Sequence, residues 1–198
     1  MTITMDQIKK LRQATGVGIG DCKQALEAAQ GDFEKAKLVL REKGQKLTEG
    51  SAKGTEGIIG HYVHHNTQVA VLVELTCQTD FVARNKKGPF QEFARDLAMH
   101  IASTNPAFVS RKEIPAEEVE AERSFLIEQA KAGGRPEHII ETKIIPGQLE
   151  RFYAQRCLLD QPFVKDESVK IKDILADLAA QVGEVLTIKR FTRFQVGN

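Results

Sequence analysis

The sequence predicts an α+β fold: an N-terminal module of three helices, then a core in which a small antiparallel sheet packs against helices. Two observations carry this. Residues 5–44 place apolar side chains at helical spacing in three short segments, whereas residues 58–77 switch to β-branched alternation before helical periodicity returns. A last β-rich run, residues 185–196, supplies a further strand.

The elements follow in order. Met5, Ile8 and Leu11 line the first helix, which Gly16 closes. Cys22, Ala25, Leu26 and Ala29 form the stripe of the second, with Asp21 as its expected cap and Gln24 three residues on. Gly31-Asp32 separates it from the third, striped by Phe33, Ala36, Val39 and Leu40 and expected to stop at Gly44. The expected organisation is a module over residues 1–45, a linker over 46–56 with glycine and serine breaks, and a core over 57–198. In the core, residues 58–63 and 69–77 form a hairpin around His64-His65-Asn66-Thr67. Phe90, Phe93, Ala94, Leu97, Ala98 and Ile101 then mark a helix facing the sheet. Another helix starts near Pro115, with Glu117, Glu118 and Glu120 at its positive end, and stops at Gly133-Gly134. Pro136 opens the next, Pro146-Gly147 is expected to interrupt it, and Leu149, Phe152 and Tyr153 resume the apolar face. Ile171, Ile174, Leu175, Leu178 and Val182 give the last helix, ended by Gly183.

Composition bounds the function. A chain of 198 residues with 41% hydrophobic and 28% charged residues is globular, not mainly disordered. Lys+Arg 28 against Asp+Glu 27 leaves a formal net charge of +1, so neither nucleic acid nor a membrane surface is an expected partner. The opening residues lack a basic segment followed by an apolar one, and no apolar run is long enough to span a bilayer, so a cytoplasmic location is expected. Cys22, Cys77 and Cys157 contain no Cys-x-x-Cys pair and read as buried small hydrophobes, outside any disulfide framework or zinc site.

Catalytic and cofactor motifs are missing. Gly16-x-Gly18-x-Gly20 follows a helix and lacks both phosphate-loop spacings, so it reads as a turn. His61 and His65 share a strand face at roughly 13 Å, given a rise of about 3.3 Å per residue, and His64 points away, so no metal is expected there. His100 stands alone on a helix, and Glu117-Glu118 belongs to a solvated face. Neither enzyme activity nor a cofactor is expected. The segment that stands out is Thr79-Asp80-Phe81-Val82-Ala83-Arg84-Asn85, directly after the central strand. Asp80 is a good helix cap, which would hold Phe81 at the apex of a loop as a projecting aromatic. Spacing alone favours the other reading, with Phe81 packed under the next helix.

These residues carry a resemblance. Leu11-Arg12-x-x-Thr15-Gly16-x-Gly18-x-x-Asp21-Cys22-Lys23-x-Ala25-Leu26, continued by Gly31-Asp32-x-Glu34-x-Ala36, resembles the N-terminal signature of the bacterial elongation factor Ts family. Glu74-Leu75-x-Cys77-Gln78-Thr79-Asp80-Phe81-Val82-Ala83 resembles its second signature. Met99-His100-Ile101-Ala102, Gln161-Pro162-Phe163-Val164 and Arg190-Phe191-Thr192-Arg193-Phe194 resemble further segments in the right order. The resemblance implies a ubiquitin-associated-like N-terminal module and a guanine nucleotide exchange factor for elongation factor Tu. It implies that Thr79, Asp80, Phe81 and Val82 intrude near the nucleotide and magnesium site of that GTPase, which reverses the packed reading of Phe81. It also implies docking by Arg12, Gly18, Ile19, Gly20 and Asp21, with further contacts from His64, His65, Phe163 and Val164. The chain is similar to short members of the family, in which a second copy completes the core, so a homodimer through the sheet is expected. It departs from the family where Gly20 follows Ile19 in place of a second large apolar residue, where Thr76 precedes Cys77 in place of Asn, and where the linker is poorer in lysine. Two rivals remain in view: an adaptor whose helices bind a partner without affecting nucleotide, and an RNA binder, which the near-neutral charge disfavours.

Overall fold

The computed structural model describes residues 3–49, 54–133 and 136–197. In chain order the elements are α1 (Met5–Thr15), α2 (Ile19–Ala28), α3 (Phe33–Glu49), β1 (Glu56–Val63), β2 (Val69–Cys77), α4 (Asp80–Arg84) and α5 (Pro89–Thr104). They continue with α6 (Ala116–Ala132), α7 (Glu137–Ile139), α8 (Ile145–Arg156), β3 (Pro162–Phe163), β4 (Asp166–Lys170), α9 (Ile171–Val182) and β5 (Thr187–Gln195). The fold is α+β, and the chain divides into two compact units, Met1–Ser103 with Lys172–Asn198, and Thr104–Ile171.

In the first unit, α1 opens with a capping box between Thr4 and Gln7 and ends at Gly16, whose φ of 70° is the left-handed conformation that glycine adopts without strain. α2 starts three residues earlier than a cap at Asp21 would place it. Its cap is Gly18, without a side-chain bond, and Asp21 lies inside the first turn, its carboxylate on Lys43 Nζ at 2.6 Å. Asp32 does cap α3, accepting from Lys35 N at 3.0 Å. Ile8, Leu11, Val17, Cys22, Ala25, Leu26, Ala36 and Leu40 bury their side chains together with Ala180 of α9.

Gly44 does not end α3, which continues to Glu49. A Cβ there would lie 1.9 Å from the Ala176 carbonyl oxygen of α9, so the glycine serves helix-to-helix approach and not termination. Arg41 of α3 reinforces that contact, donating from Nε and Nη2 to both oxygens of Asp177 at 2.8 and 2.6 Å. The first residues of the expected linker are therefore helical, and its residues 50–53 lie outside the described residues.

The sheet of this unit has the order β1-β2-β5, antiparallel throughout. Val71, Val73, Leu75 and Cys77 alternate inward, all but fully buried, as the β-branched spacing predicts. α5 buries Phe90, Phe93, Ala94, Leu97, Ala98 and Ile101, as its periodicity predicts. The opposite face of the sheet is open: Ile59, Val63, Leu72 and Phe194 are all more than half exposed.

In the second unit, Leu126, Ile140 and Ile145 are the buried centre of the helices. Pro146 does not break the helix there. The ladder widens to a π-helical turn over Ile140–Ile144, just before the proline nitrogen that has no hydrogen to donate, and α8 then proceeds. Arg111 donates to both oxygens of Asp160 and both of Glu150, at 2.7–2.8 Å, and stacks on Tyr153. This pairing holds the Glu150 carboxyl below its ordinary range. A second sheet, the hairpin β3–β4, was not legible, because Pro162-Phe163 is short and Asp166-Glu167-Ser168 is polar without alternation. All three cysteines are buried, and burial pushes the Cys157 thiol up to about 11.

Candidate functional site

The site is built where β2 ends. Cys77 is the last inward-facing residue of the strand, and α4 begins three residues later. Val82 and Ala83 turn inward and fix this one-and-a-half-turn helix to the core. Helical geometry then sends Phe81 the other way, and its side chain is 79% exposed. An aromatic ring this open, on a helix this short, contributes little to folding. Asp80 and Arg84 stand beside it on the outer surface, 3.3 Å apart from Oδ2 to Nη1.

Asp80 is the first helical residue, not the cap; the cap position belongs to Thr79. The hydroxyl of Thr79 caps nothing because it donates to Glu184 Oε1 at 2.5 Å. Glu184 Oε2 accepts from the backbone N–H groups of Gln78 and Thr79 at 3.2 and 3.1 Å. In return Gln78 Oε1 accepts from Val185 N at 3.4 Å. The Cys77 thiol donates to Thr79 O, and at the far end of α4 the Gln91 side chain donates to Ala83 O at 3.0 Å. Neither Glu184 nor Gln91 was found by sequence reasoning. The Glu184 bonds span 105 and 106 residues, and no local pattern encodes a pairing of that range.

The residues expected to dock group near the start of the first unit. Arg12, Gly18, Ile19 and Gly20 are all exposed, Ile19 at the first turn of α2, and Asp21 is half-buried and engaged with Lys43. Val17, immediately before them, is buried and holds the turn down. A Cβ on Gly18 or Gly20 would meet no atom within 4 Å, so this surface is unobstructed.

The remaining candidates are scattered. His64 and His65 sit at the β1–β2 hairpin tip with ring centroids 4.2 Å apart, and His64 Nδ1 is bonded to the Tyr62 hydroxyl at 2.9 Å. Phe163 is buried and Val164 exposed in the β3–β4 hairpin of the second unit. Among the described residues, no group of three or more His, Cys, Asp or Glu side chains is placed to hold a metal. No described helix is long and apolar enough to cross a membrane.

With this geometry in hand, similarity to known proteins decides the family. Residues 23–198 match the family described as Elongation factor TS. The chain belongs to the elongation factor Ts family. It is 48% identical over 200 residues to an Elongation factor Ts of Herpetosiphon aurantiacus, covering all of both chains. It is 47% identical over 199 residues to that of Nitratidesulfovibrio vulgaris, covering all of this chain and 98% of the relative. A Thermotoga relative of the same name matches at 47% with the same coverage. Membership of the elongation factor Ts family implies a nucleotide exchange role in translation elongation.

Proposed function

We propose that this chain is a guanine nucleotide exchange factor that binds elongation factor Tu in its GDP-bound form and promotes release of GDP and magnesium, so that GTP can bind. The observation that carries the reading is Phe81: a large apolar side chain, 79% exposed, on a helix pinned from beneath by Val82 and Ala83. An exchange factor must bind the nucleotide-free state more tightly than the GDP-bound state, and a rigid wedge that fits only once the nucleotide site has opened supplies that difference. Such a role makes and breaks no covalent bond in the partner, so the chain acts as a binding protein and not as an enzyme. The three-helix module docks through Arg12, Gly18, Ile19 and Gly20. Asp21 serves there through its link to Lys43, and the setting is the cytoplasm.

The open face of the sheet supports a second part of the proposal, a homodimer. Val63, Ala70 and Phe194 form one row across the three strands, and His61, Leu72 and Thr192 the next. Val63, Leu72 and Phe194 are exposed together around the half-buried Ala70 and bordered by Glu74, which accepts from Lys189 and Arg190. A twofold axis through such a patch makes it self-complementary. Leu72→Glu is expected to convert a dimer to a monomer in sedimentation equilibrium.

The deciding experiment follows release of fluorescent GDP from elongation factor Tu with the wild type, Asp80→Ala and Phe81→Ala. Strong acceleration by the wild type, lost in a folded Phe81→Ala, is the expected result. A wild type that binds without accelerating release overturns the exchange reading in favour of the adaptor.

A further inference from the structure

We propose that Glu184 is the positioning residue of the Phe81 probe, a clamp from the far end of the chain that holds the β2–α4 turn in its projecting conformation. The inference rests on the exchange reading above and deepens it. β2 stops at Cys77, so the N–H groups of Gln78 and Thr79 lie beyond the strand, and the Thr79 hydroxyl adds a third donor. All three converge on one carboxylate. An ionised carboxylate offers about four lone-pair sites and can take three donors at once, whereas the oxygen of a neutral amide offers two. The residue type is therefore matched to the task.

The clamp also has a firm base. Glu184 follows Gly183, whose left-handed turn (φ 74°) ends α9, and precedes Val185 and Leu186, both buried. The Gln78 side chain closes the loop by accepting from Val185 N, so the two turns hold each other through four hydrogen bonds. None of these hydrogen bonds involves Phe81. Their effect on the ring runs through the backbone of Thr79, two residues before it and immediately before α4. Fixing that backbone fixes the direction in which Phe81 leaves the helix. A probe that works by fitting a newly opened site loses effect steeply when it is misplaced, and an error of 1 Å costs on the order of a hundredfold in well-oriented systems.

The test is a cycle of four full-length proteins: wild type, Glu184→Ala, Phe81→Ala and the double variant. Maximal GDP release from elongation factor Tu is measured at saturating factor, with circular dichroism confirming the fold. Glu184→Ala is expected to lower the maximal rate roughly tenfold, within that positional sensitivity. Added to Phe81→Ala it is expected to change nothing further, because no probe is left to misplace. A second readout uses Phe81→Trp, the sole tryptophan in a chain whose Trp count is 0, with emission anisotropy reporting local motion of the side chain. Glu184→Gln is expected to add a fast depolarising component to that reporter while leaving thermal stability nearly unchanged. It serves also if Glu184→Ala fails to fold. A folded Glu184→Ala that exchanges at the wild-type rate, or effects that simply add to those of Phe81→Ala, overturns the clamp while leaving the probe intact. Wild-type exchange by Phe81→Ala itself overturns the assignment of Phe81 as the probe instead, and the anisotropy then decides whether the clamp orders the turn.

Discussion

The two turns proposed to contact the partner are built in opposite ways. Each presents one exposed apolar side chain at the start of a helix, Ile19 on α2 and Phe81 on α4. Each places an aspartate in that helix's first turn and pairs it with a base, Asp21 with Lys43 and Asp80 with Arg84. The Ile19 turn is held by its neighbours in sequence: the left-handed Gly16, the buried Val17, and the hydrogen bond from Cys22 N to Gly18 O at 3.0 Å. The Phe81 turn is held by residues from the other end of the chain, at Glu184 and Val185. Local support suits a surface that only has to be sticky. Long-range support suits one whose position is the mechanism, since it resists rotation as well as displacement.

That contrast breaks if both turns control the same kinetic parameter. Phe81→Ala is expected to have the largest effect, lowering maximal GDP release about a hundredfold, which corresponds to about 2.7 kcal/mol. Its melting temperature should hardly move, because the side chain is exposed. Ile19→Ala is expected to raise the factor concentration needed for half-maximal release about tenfold while leaving the maximal rate alone. A titration of each variant against elongation factor Tu separates the two. If Ile19→Ala lowers the plateau, docking and probing are one event and the division fails.

Most of this design was legible in the sequence, and the failures have physical causes. The helical stripes, the alternation of Val71, Val73 and Leu75, and the punctuation by Gly16, Asp32 and Gly183 are local signals, and the structure follows them. Gly44 misled because a glycine placed for close approach and a glycine placed to end a helix look identical until the facing carbonyl of Ala176 is known. Asp21 and Asp80 misled because an aspartate near a helix start suits both the cap and the first turn, where the helix dipole also favours it. The exposure of Phe81 was legible only through family resemblance, since spacing favoured a packed ring. Glu184 was beyond reach, because nothing near residue 184 announces three donors waiting after residue 77.

A smaller prediction sharpens the contrast by gain instead of loss. Gly20 leaves open space at the docking turn and is not in a left-handed conformation, so Gly20→Leu is expected to fit without strain. It adds a second apolar side chain beside Ile19, and burying part of it against a partner should tighten binding by about 1 kcal/mol, roughly fivefold. The helix gains too, since glycine near its start is a weak helix former. Calorimetric titration against elongation factor Tu measures the change. The maximal exchange rate should stay where it was; a rise would mean that docking strength limits the probe.

The smallest effect is expected at Asp21. Its carboxylate is engaged with Lys43 at 2.6 Å and is only partly exposed, so its role is to tie α2 to α3 more than to meet a partner. Exposed pairs of this kind contribute about 0.2–1 kcal/mol. Asp21→Asn should therefore lower the melting temperature by about 0.4–4 °C in a chain of this size and change affinity for elongation factor Tu by less than about twofold. Both effects should shrink at high salt, which screens the pair in the wild type. Asp80→Asn, run beside it, removes a longer and more exposed pair with Arg84 within α4, so its effect on stability should be no larger than that of Asp21→Asn. A difference between them in exchange, with Asp80→Asn impaired and Asp21→Asn normal, would assign the carboxylate beside Phe81 to the probe and the one beside Ile19 to the scaffold.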